Sequence, residues 1–376
     1  MHYKMNTVIR YTLSLSLGAV VLLSACSEAK HRPIDPLATT ATVSLYNRLF
    51  QLRNKGVLLG HQDDIAYGHQ CYEPGFSDIY DMTGDYPAVI GWEIGHVEKG
   101  DQFSLDSVYF NYIRQGIAQT HARGGISTIS WHADNILTGG STWDCSRNDV
   151  VASILPGGSH HDAYRTYLNR IADFLLSLRD AQNEPIPIVL RLYHEQTQSW
   201  FWWGADYCSP EQYKALWQMT VSHLRDTRGV HNVLYAYSPA DVADTAHYLE
   251  RYPGDEWVDV VGFDLYCFGT SAEACSTYMD NMRRNLRIVT DYAATSGKLP
   301  IMAETGMEGI SLTNYFTATI APLVETSPVA WILFWRNAWE PDKPNHFYLP
   351  YKGHPAEADF KNFIASDRIL MNSDIQ

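Results

Sequence analysis

The chain has 376 residues, 45% of them hydrophobic, enough to bury one large core. Its 42 acidic residues against 28 basic ones give a formal net charge of -14, which repels phosphate backbones and excludes a nucleic-acid partner. The 11 Trp and 24 Tyr suit either an aromatic core or platforms that stack on the apolar faces of sugar rings.

The first segment reads as a processing signal. Lys4 and Arg10 supply positive charge ahead of the apolar run Tyr11–Leu23, which is too short to span a bilayer comfortably. The run ends in Leu23-Ser24-Ala25-Cys26, a pattern that resembles a bacterial lipoprotein box. That reading makes residues 1–25 a signal peptide. Cys26 becomes the lipidated first residue, and its acyl chains hold the protein on a membrane. The next residues, Ser27-Glu28-Ala29-Lys30, lack an acidic run, and we expect a periplasmic rather than an outer-surface location. Residues 26–37 are polar with Pro33 and Pro36 and read as a tether. Five further cysteines remain. Cys267 and Cys275 are close enough to close a small loop, but pairing cannot be deduced from sequence.

From residue 38 to 376 short apolar runs alternate with helical patterns. The runs are Gly56–Gln62, Ala88–Ile94, Ile126–Ala133, Ile188–Glu195, Val233–Pro239, Val258–Tyr266, Pro300–Gly306 and Val329–Asn337. Segments such as Ala163–Ala181 and Gln212–Arg228 carry helical spacing between them. Apolar strands alternating with helices imply a buried parallel sheet. Eight such units predict an α/β fold of the (β/α)8 TIM barrel type in a single domain. A doubly wound open sheet is the alternative, and the lack of a Gly-rich phosphate loop after the first run counts against it.

Polar and aromatic residues gather at the C-terminal end of every run, where barrel enzymes place their sites. Two carboxylates stand out: Glu195 ends the fourth run and Glu304 the seventh. Strands four and seven face each other across a barrel mouth. A carboxyl pair so placed suits glycoside hydrolysis, with one proton donor and one nucleophile.

In these features the sequence resembles glycoside hydrolase family 26, whose usual members are β-mannanases. The resemblance runs from about Gly60 to Arg336. It rests on Trp131-His132, Trp143, His194-Glu195, Trp200, Tyr266, Glu304 and Trp335-Arg336, in that order. It implies that Glu195 is the acid/base and Glu304 the nucleophile of a retaining reaction. It further implies that His132, Trp143, His194, Trp200, Tyr266, Trp335 and Arg336 bind substrate. At least one of Trp200, Trp202 and Trp203 is expected to touch it, and His61 and Asp63 are candidates for a distal subsite. The implied reaction is hydrolysis of β-1,4-mannan by a monomer without a cofactor. Other β-glycans, or glycan binding without catalysis, remain alternatives.

His61, Asp63, His132, His194 and Asp264 also raise the possibility of a catalytic metal. Strand one lacks a His-x-His pair and no HExxH occurs, so no metal is expected.

Overall fold

Each of the eight apolar runs forms a barrel strand. The computed structural model describes residues 31–376 as one unit. The expected signal peptide, the expected lipidation site Cys26 and the first part of the expected tether lie outside the described residues. No helix among the described residues is long and apolar enough to cross a membrane.

The first five strands are β1 (Val57–Gln62), β2 (Val89–Glu93), β3 (Ile126–Ser130), β4 (Ile188–Arg191) and β5 (Val233–Tyr237). The sixth runs in two pieces, β6 (Val260–Val261) and β7 (Asp264–Tyr266). So does the seventh, as β8 (Leu299–Pro300) and β9 (Met302–Gly306). The eighth is β10 (Trp331–Phe334). All pair in parallel. β1 joins β2 at Gly60–Val89 and β10 at Leu58–Trp331. β6 pairs with β8 and β7 with β9, and β9 pairs with β10, which closes the ring. A short β11 (Ile369–Leu370) adds to β1 outside it. Every residue of β1 to β5 is buried, as a parallel sheet covered on both faces requires.

The floor of the barrel is sealed by the helix Thr40–Leu52. Its Leu45, Tyr46, Leu49 and Leu52 pack with Leu58, Val89, Val189, Leu234 and Trp331 from the strands. Thr39 caps this helix by accepting from Thr42 N–H. Residues 31–37, part of the expected tether, are docked beside it. Ile34 N–H donates to Asp259, His231 pairs with Asp35, and His31 stacks on Phe50.

One helix ends sooner than its pattern predicts, and another keeps its predicted length but changes its winding. The first spans His161–Leu176 and buries Tyr164, Leu168, Ile171, Phe174 and Leu175. Past Ser177 the Asp180 side chain accepts from Gln182 and Glu184 N–H, a local turn that outcompetes helix. The second, Pro210–Ser222, starts at a Ser209/Gln212 capping box and passes into a π-turn at His223–Thr227.

Candidate active site

The fourth strand stops at Arg191, four residues short of Glu195. Beyond it the chain breaks away from the sheet, with Tyr193 at φ 40° and Glu195 at φ 57°. Such left-handed backbone is strained for non-glycine residues and persists only where neighbours enforce it. Here Trp203 Nε1 donates to the His194 carbonyl at 2.8 Å and Tyr213 to the Tyr193 carbonyl at 2.9 Å. Glu195 N–H donates to the Ser238 carbonyl. The turn thereby directs the Glu195 side chain into the mouth, where it lines a cleft of about 540 Å³.

Glu304 lies within β9, on the facing side. Tyr266, at the end of β7, donates its hydroxyl to Glu304 at 2.6 Å. Arg191, at the end of β4, pairs with the other oxygen and also with Asp264 at 2.8 Å. Carboxylate oxygens of Glu195, Asp264 and Glu304 come within 4.8 Å of one another. Among the described residues this is the cluster that could hold a metal, but Arg191 already places a cation between two of its three members.

Burial, and the facing Glu304 carboxylate after it, push the pKa of Glu195 up to about 7. Trp200 Nε1 donates to Glu195 at 2.7 Å and partly offsets the rise. Asp264 is raised well above the carboxylate range, chiefly by burial, although Arg191 opposes the shift.

His132 and His194 form the adjoining wall, their Nε2 atoms 3.1 Å apart. Glu93, at the end of β2, pairs with His132 Nδ1 at 2.7 Å and accepts from His132 N–H. Burial works against a proton on His132, but Glu93 outweighs it and raises the pKa. His194 is driven well below the usual histidine value by burial, with Arg191 and His132 adding to the effect. The geometry therefore suits a cationic His132 donating to a neutral His194.

The cleft gathers His132, Trp143, His194, Trp200, Tyr266 and Trp335 around the two glutamates, all named from sequence. Of the clustered tryptophans, Trp200 is 41% exposed, whereas Trp202 and Trp203 are fully buried with their N–H groups on backbone carbonyls. Arg336 is not part of the lining. It is buried in a network with Asp106 at 3.0 Å, Glu340 at 2.9 Å and the Tyr67 hydroxyl at 3.1 Å. His61 and Asp63 also lie outside the lining. His61 pairs with Asp64, and Asp63 accepts from Tyr67. The loops around residues 69–84, 101–109 and 339–354 are tied together near Arg336. Tyr72 donates to the Ser107 carbonyl and Trp339 to the Asp106 carbonyl.

Sequence reasoning missed Gln198, Phe201, Asp241, Phe268 and Tyr348 of the lining. It also gave no role to Arg191, which holds Asp264 and Glu304, or to the strand-end Glu93, which holds His132. For Arg191 a signal existed: a cation inside an apolar strand run must meet buried anions.

A closed barrel with two glutamates facing each other across a cleft at the strand C-termini has the architecture of a glycoside hydrolase. Residues 34–320 match the family model of glycosyl hydrolase family 26, and the chain belongs to that family. It is 33% identical to a mannan endo-1,4-beta-mannosidase of Bifidobacterium adolescentis, over 90% of this chain and 35% of that protein. This chain thus spans about a third of that relative's length. A mannan endo-1,4-beta-mannosidase of Bacillus subtilis is 28% identical, over 68% of this chain and 73% of that protein. The structure of a GH26 beta-mannanase from Bacteroides ovatus, BoMan26A, superposes with a TM-score of 0.86 at 43% identity, covering 89% of this chain and 96% of that one.

Proposed function

We propose that this chain hydrolyses β-1,4-mannosidic bonds in mannan and manno-oligosaccharides with retention of configuration. Glu304 is the nucleophile and Glu195 the acid/base. The observation that carries the reading is the approach of their carboxylate oxygens to within 4.8 Å. Retaining pairs stand roughly 5–5.5 Å apart, whereas inverting pairs stand roughly 6.5–9.5 Å apart to admit water. The mannanases similar to this chain support the choice of sugar.

In the first step Glu304 attacks the anomeric carbon while Glu195 protonates the departing oxygen. A value near 7 keeps much of Glu195 protonated at neutral pH. Arg191 and Tyr266 each hold one Glu304 oxygen, which fixes the attacking carboxylate. Ester formation removes the Glu304 charge, and with it one of the causes that raise Glu195. Glu195 then becomes the stronger acid and ionises readily. In that form it takes a proton from the water that cleaves the ester. The exposed faces of Trp143 and Trp200 offer stacking surfaces for uncharged sugars, and His132, His194 and Trp335 complete the substrate contacts. Arg336 acts on the donor side through the loops that it ties.

The test is a product profile by chromatography on linear mannan, galactomannan and mannohexaose, with lichenan and xylan as controls. A ladder of manno-oligosaccharides is expected, and mannobiose alone from the earliest times would mean a cleft closed at one end. Turnover of a control glycan with none of mannan would overturn the sugar assignment.

The leader reading adds that the mature chain begins at acylated Cys26 and works as a membrane-anchored monomer facing the periplasm. Loss of labelled palmitate on Cys26→Ala is the expected result.

A further inference from the structure

Phe268 is 79% exposed, more than any other large apolar side chain among the described residues. It also lines the catalytic cleft. An apolar ring so placed gives the free protein almost no burial, and exposed apolar surface at a cleft marks a site that a ligand covers.

The segment that carries it is anchored at both ends. Cys267 N–H donates to the Gly306 carbonyl at 2.8 Å, next to the end of β9. The Cys267 and Cys275 sulfurs lie 3.7 Å apart in the buried layer beneath. Ser271 caps the helix Ala272–Ser296 by accepting from Ala274 N–H. The ring is therefore presented by a short segment held in place on either side.

Its position along the cleft gives the direction. Trp200 follows β4, Ala240 and Asp241 follow β5, and Phe268 follows β7. They follow the fourth, fifth and sixth strands of the ring, and Asp264 N–H at the start of β7 donates to the Pro239 carbonyl just past β5, so the residues form one wall that begins beside Glu195. His132, Trp143 and Trp335 follow β3 and β10 and form the other wall. Glu195 is bonded to the first wall through the Trp200 indole N–H, so a leaving group that it protonates lies nearest that wall.

We propose that Phe268 is a specificity-determining platform on which a sugar ring of the leaving-group chain stacks. Phenyl stacking carries no charge and suits the apolar face of a β-linked hexose. The assignment rests on the hydrolytic reading above.

The experiment compares the wild type, Phe268→Ala and Phe268→Tyr on β-1,4-mannohexaose and on 4-nitrophenyl β-mannobioside, whose leaving group carries no sugar. For Phe268→Ala the ratio of kcat/KM on hexaose to that on the aryl substrate is expected to fall about five- to twentyfold. The loss should appear mainly in KM, and Phe268→Tyr should restore the ratio. An unchanged ratio, or equal losses on both substrates, would overturn the proposal. A wild type inert on mannan but active on β-1,4-glucan would refute the sugar assignment alone, and the same comparison would then be read on cello-oligosaccharides and their aryl glycosides.

Discussion

Trp200 donates its indole N–H to a Glu195 carboxylate oxygen at 2.7 Å, five residues along a turn that starts in strained backbone. The bond lowers a pKa that burial and Glu304 together raise to about 7. Trp200→Phe removes the donor and keeps an aromatic face. Glu195 acts as an acid only when protonated, so kcat/KM falls as pH rises through its pKa. Without the donor that pKa rises further, and the alkaline limb of the pH profile is expected to move to higher pH. An alkaline limb that stays in place or moves down would contradict the role of this contact.

The two glutamates are distinguished by leaving group. Glu195→Ala should cut turnover of mannan by about 10²- to 10⁴-fold, the usual worth of a general acid. The loss should be smaller on aryl mannosides, whose leaving group departs without a proton. Glu304→Ala should cost at least about 10⁴-fold on both. Added azide should rescue it and give the inverted glycosyl azide, detectable by NMR.

Arg191 holds Asp264 and Glu304 together at full burial. Arg191→Met leaves both carboxylates without their cation, and removing one partner of a buried pair costs about 3–5 kcal/mol. Asp264 is already raised well above the usual range, chiefly by burial. Without Arg191 it rises further, so the variant takes up a proton on folding over a wider range of pH above the unfolded carboxylate value. Its deficit in urea unfolding should therefore shrink as pH falls and grow as pH rises.

Glu93 does not line the cleft and reaches it through His132. Burial lowers the pKa of His132, and Glu93 more than compensates. In Glu93→Gln the compensation is lost, and the imidazole should titrate below the ordinary histidine value by NMR. Cleavage of mannohexaose should drop by about tenfold to a hundredfold as the His132–His194 pair loses its fixed geometry. A normal His132 titration in the variant would show that Glu93 is only a structural anchor.

The strands were readable because a parallel sheet buried on both faces writes itself as uninterrupted apolar runs. The glutamates were readable because a barrel presents its strand ends at one mouth. The strand bounds were not, since the break before Glu195 is imposed by Trp203 and Tyr213, which lie well downstream. Trp200, Trp202 and Trp203 look alike in sequence, and the packing of the turn alone decides which face meets the cleft. Arg336 lies at a strand end as expected, but its partner Asp106 is over two hundred residues away, beyond any local spacing rule. Phe268 gave no signal, because its exposure arises from the way one short segment is pinned.

The helix Thr40–Leu52 closes the barrel at the end opposite the cleft, and His31 is stacked against its Phe50. The closed end is thus a natural handle. A bead, a surface or a fused carrier joined at His31 would grip the enzyme from behind and leave long, stiff polymer free to enter the open end.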